Sequence, residues 1–363
     1  MNKFILGVFT LTLGVFIYSC KKDVKGIMVQ YNNAPYQLQF INYTLPTPTL
    51  PADNPLTVEK VMLGRMLFYN KNLSSDGTVS CASCHNQKNA FSDINKFSIG
   101  VNGATGDRQA MAIFNMAWHE NEFFWDGRAH LLRDQSLGPI ENPLEMNESL
   151  DNVIKKLYTD QEMKNQFIRA FGSIEITAEK MSLAMENFMM SIISEDSKYD
   201  RYLAGLIQLS PSEERGRILF FGEYNEFFPD VSGADCAHCH AGNNFENDLY
   251  MNNGLDENAQ FVDFGRELTT DLIADRAKFK VTSLRNIAVT PPYMHDGRFE
   301  TLEEVVDHYN SNVKYSSTVN LALLGTTSTG LMLDEEEKND LVNFLKSLTD
   351  YTLLNNTAYS DPY

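Results

Sequence analysis

Two short cysteine–histidine motifs carry the most specific chemistry in this sequence. Residues 81–85 read CASCH and residues 236–240 read CAHCH. The two thiols of such a motif can add across the vinyl groups of a porphyrin, and the histidine that follows can bind the iron. A zinc site would need four ligands from both copies, and a redox dithiol has no use for the histidine. The motifs therefore predict two covalent haem c groups, attached through Cys81, Cys84, Cys236 and Cys239, with His85 and His240 as iron ligands.

The fifth cysteine, Cys20, ends an N-terminal segment that is typical of exported proteins. Lys3 gives this segment a positive start, and the apolar run from Phe4 to Phe16 is short for a membrane span. The residues IYSC at its end resemble a bacterial lipobox. We therefore expect residues 1–19 to be a lipoprotein signal peptide and acylated Cys20 to anchor an exported, periplasmic protein to a membrane. An uncleaved signal anchor is the alternative, and it also implies export.

The formal net charge of −18 limits the classes of partner. A strongly acidic chain is repelled by the phosphate backbone, so we expect no nucleic-acid partner. Opposite charge speeds the encounter of transient redox partners, which favours a basic electron-carrier protein. The alternative interpretation is that the acidity only keeps an exported protein soluble.

The remaining pattern predicts a mostly helical chain with one haem in each half. Residues 20–55 are rich in Pro, Asn and Thr, which indicates a tether along the surface. The stretch VEKVMLGRMLFY and residues 149–172 and 177–204 have the apolar period of helices. Ser210, Thr301 and Asp334 each precede a glutamate by three positions, which is typical of a helix start. Long alternating strand patterns are scarce.

Three longer stretches resemble the bacterial di-haem cytochrome c peroxidase family, which includes the MauG-type enzymes. They read LGRMLFYNKNLSSDGTVSCASCHNQKNAFSD, FFWDGRAHLLRDQSLGPIENPLEM and FKVTSLRNIAVTPPYMHDGRFETLEEVVDHY. The resemblance implies two cytochrome c-like helical domains, each with one covalently bound haem c. We expect a peroxidatic haem domain at residues 56–205, an electron-transfer haem domain at residues 206–350 and a C-terminal tail at residues 351–363.

The resemblance also implies which residues act at the first haem. In the family, an acid moves a proton between the peroxide oxygens, and a glutamine ten residues earlier assists it. Glu145 and Gln135 match these positions, although the chemistry of Glu145 alone also suits a surface carboxylate. Some relatives close this haem with a histidine in a loop that resembles FSIGVNG, where this chain has Val101. Valine cannot bind iron, so we expect the first haem to be open to peroxide.

At the second haem, the resemblance places Tyr309 where many relatives have a methionine ligand. An anionic phenolate donates charge to iron, whereas methionine raises the haem potential, so Tyr309 points toward the MauG branch. Met294, His308 and Met332 are alternatives. His308 and Tyr309 exclude each other, because neighbouring residues of a helix point about 100° apart.

Two further assignments follow from the resemblance. Trp125 matches a tryptophan that relays electrons between the haems, with a packed core aromatic as the alternative. Gln109, Thr290 and Pro292 match residues that bind calcium between the domains, through an amide side chain and two backbone carbonyls. Relatives usually have asparagine in place of Gln109, so one ligand is longer than in the family pattern.

Three functions remain compatible with the sequence. They are reduction of hydrogen peroxide with electrons from a small cytochrome or other redox protein, MauG-like oxidation of a protein or organic substrate by peroxide, and a non-enzymatic di-haem electron relay. Val101 and Glu145 argue against the relay, because together they indicate an open site with an acid. Tyr309 favours the MauG-like function without deciding the question, since peroxide is the oxidant in both enzymes.

Overall fold

The computed structural model describes residues 29–41, 44–120 and 122–363, so the predicted signal peptide and Cys20 lie outside the described residues. The fold is mostly helical, as predicted. The helices are α1 (Val58–Tyr69), α2 (Cys81–Cys84), α3 (Leu132–Glu141), α4 (Leu150–Leu157), α5 (Gln161–Phe171), α6 (Ala178–Ser191), α7 (Lys198–Leu203), α8 (Pro211–Phe221), α9 (Glu267–Thr270), α10 (Leu302–Asp307), α11 (Thr326–Thr329), α12 (Glu335–Lys346) and α13 (Tyr351–Asn355). Strands β1 (Tyr250–Met251) and β2 (Phe279–Lys280) pair antiparallel. Across the described ranges, no helix combines the length and apolarity that a membrane crossing requires.

Buried apolar side chains form two separate cores, one in each half of the chain. Residues from 56 to 192 build the first core, and residues from 199 to 348 build the second. The last thirteen residues do not extend away from the protein. Leu353 and Tyr359 are buried in the first core, and Arg65 Nε donates a hydrogen bond of 2.6 Å to the Ser360 carbonyl. The C-terminus therefore returns to the first half and completes its core.

The same helix crossing occurs in both halves. Helix α1 crosses α6 at Gly64, where an added Cβ would lie 2.0 Å from the Ala184 carbonyl oxygen. Helix α8 crosses α12 at Gly216, where a Cβ would lie 1.9 Å from the Asp340 carbonyl oxygen. Both glycines begin a similar sequence, GRMLF at residues 64–68 and GRILF at residues 216–220. The two halves thus repeat one structural unit.

Replacing Gly216 by alanine should lower the free energy of unfolding by about 1–3 kcal/mol, the usual cost of extra volume in a packed interior. The Asp340 carbonyl belongs to the backbone, so it cannot rotate away from the new methyl group. Chemical denaturation followed by circular dichroism measures this loss. Gly138→Ala is the matched control, because its Cβ would meet only a Phe124 ring carbon at 3.7 Å. Equal stability of Gly216→Ala and the native protein would contradict the close crossing.

Two stretches with a continuous helical period are each divided in the structure. Residues 149–172 form α4 and α5, because the Asp160 carboxylate accepts hydrogen bonds from the backbone N–H groups of Glu162 and Met163 and so starts a new helix. Residues 177–204 form α6 and α7, and a capping box of Ser197 and Asp200 starts α7. A local side-chain cap competes with continuation of the helix, and the spacing of apolar residues does not reveal this competition. The capping patterns predicted at three helix starts are confirmed, at Ser210, Thr301 and Asp334.

Candidate active site

Each cysteine–histidine motif lines a cavity of its own, and most residues around that cavity come from the same half of the chain. The first cavity has a volume of about 380 Å³, with a smaller cavity of about 50 Å³ beside it, and the second has a volume of about 210 Å³. The motif residues that line them are Cys81, Cys84 and His85 in the first half, and Cys236, Cys239 and His240 in the second. Each cavity therefore combines two thiols with one imidazole.

The two motif histidines are oriented by the same kind of hydrogen bond. His85 Nδ1 lies 3.0 Å from the Phe91 carbonyl oxygen. His240 Nδ1 lies 3.2 Å from the Phe245 carbonyl oxygen and 3.0 Å from that of Thr282. An Nδ1–H that donates to a carbonyl leaves Nε2 free as a ligand, and this second-shell bond is common among metal-binding histidines. Burial lowers the pKa of both imidazoles, that of His240 to about 4, which favours the neutral form that binds iron.

The thiols also suit covalent attachment of haem c. Burial raises the pKa of Cys81 and Cys236 to about 12 and that of Cys84 and Cys239 to about 11. All four thiols are free and partly buried. The donor set in each half is thus two protonated thiols and a neutral imidazole around one largely apolar cavity, and it fits haem c.

A repeated loop forms part of the wall of each cavity. Residues 123–129 read FFWDGRA and residues 293–299 read YMHDGRF, and in each the first and last residues form an antiparallel bridge. Helix α3 follows the first loop and α10 follows the second. When the loops are aligned, Pro139 matches Tyr309, and each lines the cavity of its own half. A proline ring offers no ligand atom, so the two halves differ at this distal position.

Glu145 and Gln135 both line the first cavity. Asn142 holds Glu145 in place, since its Nδ2 donates a hydrogen bond of 2.6 Å to Glu145 Oε1. Burial raises the pKa of Glu145. Val101 is buried, and its N–H donates a hydrogen bond of 2.8 Å to the Glu145 carbonyl. Val101 is not one of the described residues that line this cavity. Its loop instead supports the backbone of Glu145 through this hydrogen bond.

Two of the four predicted alternatives for the second distal ligand line the second cavity. They are Tyr309 and Met294, and Asn253 Nδ2 donates to the Tyr309 hydroxyl at 3.3 Å and to Met294 Sδ at 3.2 Å. His308 Nε2 lies 3.1 Å from the Asn253 carbonyl oxygen, and within the described chain neither His308 nor Met332 lines this cavity. Burial raises the pKa of Tyr309 to about 12. The geometry leaves a phenol and a thioether side by side.

Trp125 lies between the two cavities and lines both of them. Its indole N–H donates a hydrogen bond of 2.8 Å to the Gln109 carbonyl, and its own carbonyl accepts one of 2.8 Å from the Lys280 N–H. Lys280 and Thr282 also line both cavities. Trp125 is thus hydrogen-bonded to the first half through its ring and to the second half through its backbone carbonyl.

The predicted calcium ligands come from neighbouring segments. Gln109 is buried, and its Nε2 donates to Ser92 Oγ at 3.1 Å and to the Asp93 carbonyl at 3.0 Å. These two hydrogen bonds fix the Gln109 side-chain amide through its nitrogen. Its oxygen, Oε1, is the atom that could bind a calcium ion. The Gln109 N–H donates to the His295 carbonyl at 2.8 Å, which joins Gln109 to the segment that begins at Thr290 and Pro292.

Sequence reasoning missed a charged network next to Trp125. His119 Nδ1 lies 3.1 Å from Asp248 Oδ1, and His119 Nε2 lies 3.3 Å from Glu246 Oε2. Lys280 Nζ lies 2.7 Å from Asp248 Oδ1. Burial raises the pKa of Glu246. These residues belong to three distant segments without a common motif, so only the folded chain brings them together.

Comparison with known proteins agrees with this geometry. The profile of the di-haem cytochrome c peroxidase family matches residues 58–208. The methylamine utilization protein MauG of Methylorubrum extorquens is 34% identical over 300 residues, which cover 82% of this chain and 80% of that protein. The cytochrome c551 peroxidase of Nitrosomonas europaea is 31% identical over 331 residues, which cover 88% of this chain and 91% of that protein.

A solved structure is similar along almost its whole length. The crystal structure of a MauG-like protein associated with microbial copper homeostasis superimposes with a TM-score of 0.81 and 33% sequence identity, over 90% of this chain and 99% of that one. The resemblance predicted from the three sequence stretches is thereby confirmed. Together with the two thiol–imidazole cavities, these similarities show that the chain belongs to the di-haem cytochrome c peroxidase family, which includes MauG.

Proposed function

We propose that the protein is an oxidoreductase that reduces hydrogen peroxide at the haem of residues 56–205, with electrons passed through the haem of residues 206–350. The difference between the two distal positions carries this proposal. Pro139 leaves the first site open beside Glu145, whereas Tyr309 fills the matching position of the second. When bound, haem supplies the iron that takes up peroxide and exchanges electrons. Reduction of one peroxide to two waters consumes two electrons and two protons.

Glu145 moves the proton within the first site. Its carboxylate accepts a proton from one peroxide oxygen and returns it to the other, which then leaves as water. The hydrogen bond from Asn142 fixes the carboxylate while this occurs. The raised pKa of Glu145 brings the group nearer to the pH at which it exchanges protons readily. Gln135, from the same helix-and-loop segment, positions peroxide by hydrogen bonding.

Trp125 serves the transfer of electrons between the halves. Its ring lines both cavities, and its N–H remains bonded to the Gln109 carbonyl. This bond fixes the plane of the indole between the two sites. If Trp125 were only a packed core aromatic, it would not need to line both cavities, so its position favours the electron-transfer role.

Tyr309 is the observation that favours a second function, the MauG-like oxidation of a protein or organic substrate by peroxide. We propose the Tyr309 phenolate as the distal ligand of the second iron, with Met294 as its competitor. A phenolate lowers the reduction potential relative to methionine, which makes the second haem a poorer acceptor from ordinary cytochromes. Peroxide remains the oxidant in this second function.

An exposed aromatic loop before the second haem motif suits a docking partner. Phe227, Phe228 and Val231 are 79%, 65% and 77% exposed. Asn225 Oδ1 holds the loop, since it accepts the N–H groups of Phe227 and Phe228 at 3.0 and 3.1 Å. Two exposed carboxylates belong to the same loop, Glu226 directly before Phe227 and Asp230 directly before Val231. We propose that a small redox protein with a basic rim docks here. The exposed apolar side chains provide contact area, and the carboxylates attract the basic residues of such a partner.

Steady-state peroxide consumption with a reduced basic cytochrome tests the function and this surface together. We expect saturable turnover that slows as salt rises, since exposed charges are screened. The double variant Phe227→Ser and Phe228→Ser should raise KM for the cytochrome about tenfold, which corresponds to the loss of about 1.4 kcal/mol of contact energy. Ile218→Ala, a change at another exposed apolar residue of the same half, is the control. No cytochrome-dependent loss of peroxide would exclude the peroxidase function.

Calcium binding and membrane anchoring complete the proposal. We propose one calcium ion held by the Gln109 amide oxygen and the carbonyls of Thr290 and Pro292. Oxygen donors suit calcium, and three neutral ligands imply that water completes the coordination. We also propose that the protein is exported to the periplasm and anchored through acyl chains on Cys20, on the basis of the N-terminal sequence.

A further inference from the structure

His119, Glu246 and Asp248 form a compact cluster of metal-ligating groups between the two halves. One nitrogen or oxygen atom from each residue lies within 4.8 Å of the others. His119 belongs to the first half, whereas Glu246 and Asp248 belong to the segment that follows the second cysteine–histidine motif. The His119 and Glu246 side chains are 7% and 6% exposed. None of the three residues is among the proposed haem or calcium ligands.

The Glu246 carboxylate has one oxygen without a hydrogen bond. Oε1 accepts a hydrogen bond from Asn244 Nδ2, but Oε2 is buried and has no hydrogen-bond partner among the described residues. Buried polar atoms are almost always hydrogen-bonded, and a buried charge needs a partner even more. Oε2 lies 3.3 Å from His119 Nε2. The unmet oxygen therefore indicates a cationic ligand beside the imidazole.

The separation of these two atoms suits two ligands of one metal ion. Although Nε2 and Oε2 are 3.3 Å apart, they form no hydrogen bond, so Oε2 lies away from the axis along which Nε2 points. Zinc binds imidazole nitrogen and carboxylate oxygen at about 2.0–2.2 Å, and two such ligands 3.3 Å apart subtend about 100–110° at the ion. Structural zinc sites are tetrahedral, with ligand angles of about 109°. The pair thus has the geometry of half a zinc site.

Asp248 holds the imidazole in the orientation that this site needs. His119 Nδ1 forms a hydrogen bond of 3.1 Å with Asp248 Oδ1. With the proton on Nδ1, Nε2 presents its lone pair, and metal-binding histidines usually have such a carboxylate or carbonyl partner. Lys280 Nζ and the Glu120 N–H hold the carboxylate in turn, at 2.7 Å from Oδ1 and 2.9 Å from Oδ2. Asp248 is therefore a positioning residue.

A groove beside the cluster gives a cation access from solvent. It has a volume of about 660 Å³, and its lining includes Glu120, Glu246 and Asp248. Among the described residues that line this groove there is no lysine, arginine or histidine. Within the described ranges, neither Glu246 nor Asp248 lines a haem cavity, and His119 borders the first one. The groove therefore attracts cations, and its water can complete the coordination of a metal ion.

We propose that His119 and Glu246 bind one zinc ion, which joins the two halves of the protein. His119 supplies Nε2 and Glu246 supplies Oε2, while Asp248 positions the imidazole. Water from the groove takes the other two positions. Imidazole with carboxylate is a donor set that suits zinc, and the ion satisfies the buried oxygen of Glu246. This site is separate from the proposed calcium site and does not depend on the peroxidase function.

Calorimetric titration of the zinc-free ferric holoprotein with zinc chloride tests the site. Excess calcium keeps the proposed calcium site filled throughout. We expect one zinc ion to bind per chain. Asp248→Asn should weaken binding by about 10–100-fold, the usual effect of losing a partner that orients a ligand. His119→Gln and Glu246→Gln should each weaken it by at least about a hundredfold, because each removes a ligand itself.

His130→Gln is the matched control. His130 Nδ1 also lies near a carboxylate, 3.7 Å from Glu122 Oε1, but its side chain is 83% exposed. This variant should bind zinc as tightly as the native protein. X-ray absorption at the zinc edge should show one imidazole ligand in the native protein and none in His119→Gln. Haem content and circular dichroism of each variant establish that it is folded.

Thermal unfolding provides a second measurement. An ion that binds only the folded chain stabilises it, so saturating zinc should raise the unfolding temperature of the native protein and of His130→Gln. The unfolding temperature of Glu246→Gln should not respond to zinc.

Two results would overturn this proposal. One is the absence of zinc binding by the native holoprotein, which would assign His119 to its carboxylate partners or to the first haem. The other is equal zinc affinity in the native protein, His119→Gln and Glu246→Gln, which would place the ion elsewhere. Failure of the peroxidase function has a different signature, because peroxide turnover would be lost while zinc still binds.

Discussion

Replacing Glu145 by glutamine should slow the reaction with hydrogen peroxide by about a hundredfold or more, the usual scale of a lost acid–base group. Glutamine keeps the size of the side chain but cannot carry a proton between the two peroxide oxygens. Both haem spectra should stay nearly unchanged, because the Glu145 carboxylate is hydrogen-bonded to Asn142 and, within the described ranges, to neither motif histidine. Stopped-flow mixing of the ferric protein with peroxide measures the rate. Glu141→Gln, at an exposed carboxylate four residues earlier, where helix α3 ends, is the matched control.

The pH dependence of that rate gives an independent check. Burial raises the pKa of Glu145 above its ordinary value of 4.5. The carboxylate form accepts the first proton, so the native rate should fall as the pH drops through this raised pKa. Glu145→Gln should lack this acidic limb of the profile, and Glu141→Gln should retain it. An unchanged rate in Glu145→Gln would remove Glu145 from the mechanism.

Replacing Tyr309 by methionine should raise the reduction potential of the second haem by on the order of 0.1–0.3 V, within the range of about 0.8 V that axial ligands set. A phenolate donates charge and stabilises ferric iron, whereas a thioether does not. The native ferric protein should therefore lack the methionine-to-iron charge-transfer band, and Tyr309→Met should gain it. Spectroelectrochemical titration measures both the potential and the band.

Met294→Leu distinguishes the two residues that share the second cavity. If Tyr309 binds the iron, Met294→Leu leaves the potential and the spectrum as they are. The native protein should also react with peroxide when both haems are ferric, whereas Tyr309→Met should depend more on electrons from a cytochrome. A native charge-transfer band that Met294→Leu abolishes would show that Tyr309 is not the ligand.

The parts of the site that are easiest to predict from the sequence are those fixed by local chemistry. In each half, the two cysteines and the histidine that we expect to hold haem lie within five consecutive residues, so their spacing alone indicates this use. The helix starts at Ser210, Thr301 and Asp334 are equally local. The sequence pattern did not predict that the helix is interrupted at Asp160. The apolar spacing continues through this residue, but its side chain caps the start of a new helix.

The parts that escaped prediction depend on residues far apart in the chain. The contacts of His119 with Glu246 and Asp248 join segments more than a hundred residues apart, and no spacing rule connects them. Tyr309 and Met294 remain competitors, since Asn253 contacts both side chains.

The return of the C-terminus to the first half has a consequence for how the protein matures. Gln87, two residues after His85, donates hydrogen bonds through its Nε2 to the Leu353 and Asn356 carbonyls, at 3.0 and 2.8 Å. If the chain is exported N-terminus first, as proposed above, CASCH emerges long before these last residues. The first motif would then be accessible for haem attachment while its core is incomplete. Arrival of residues 351–363 then closes the core behind it, so a protein shortened at its end would lose the first haem site before the second.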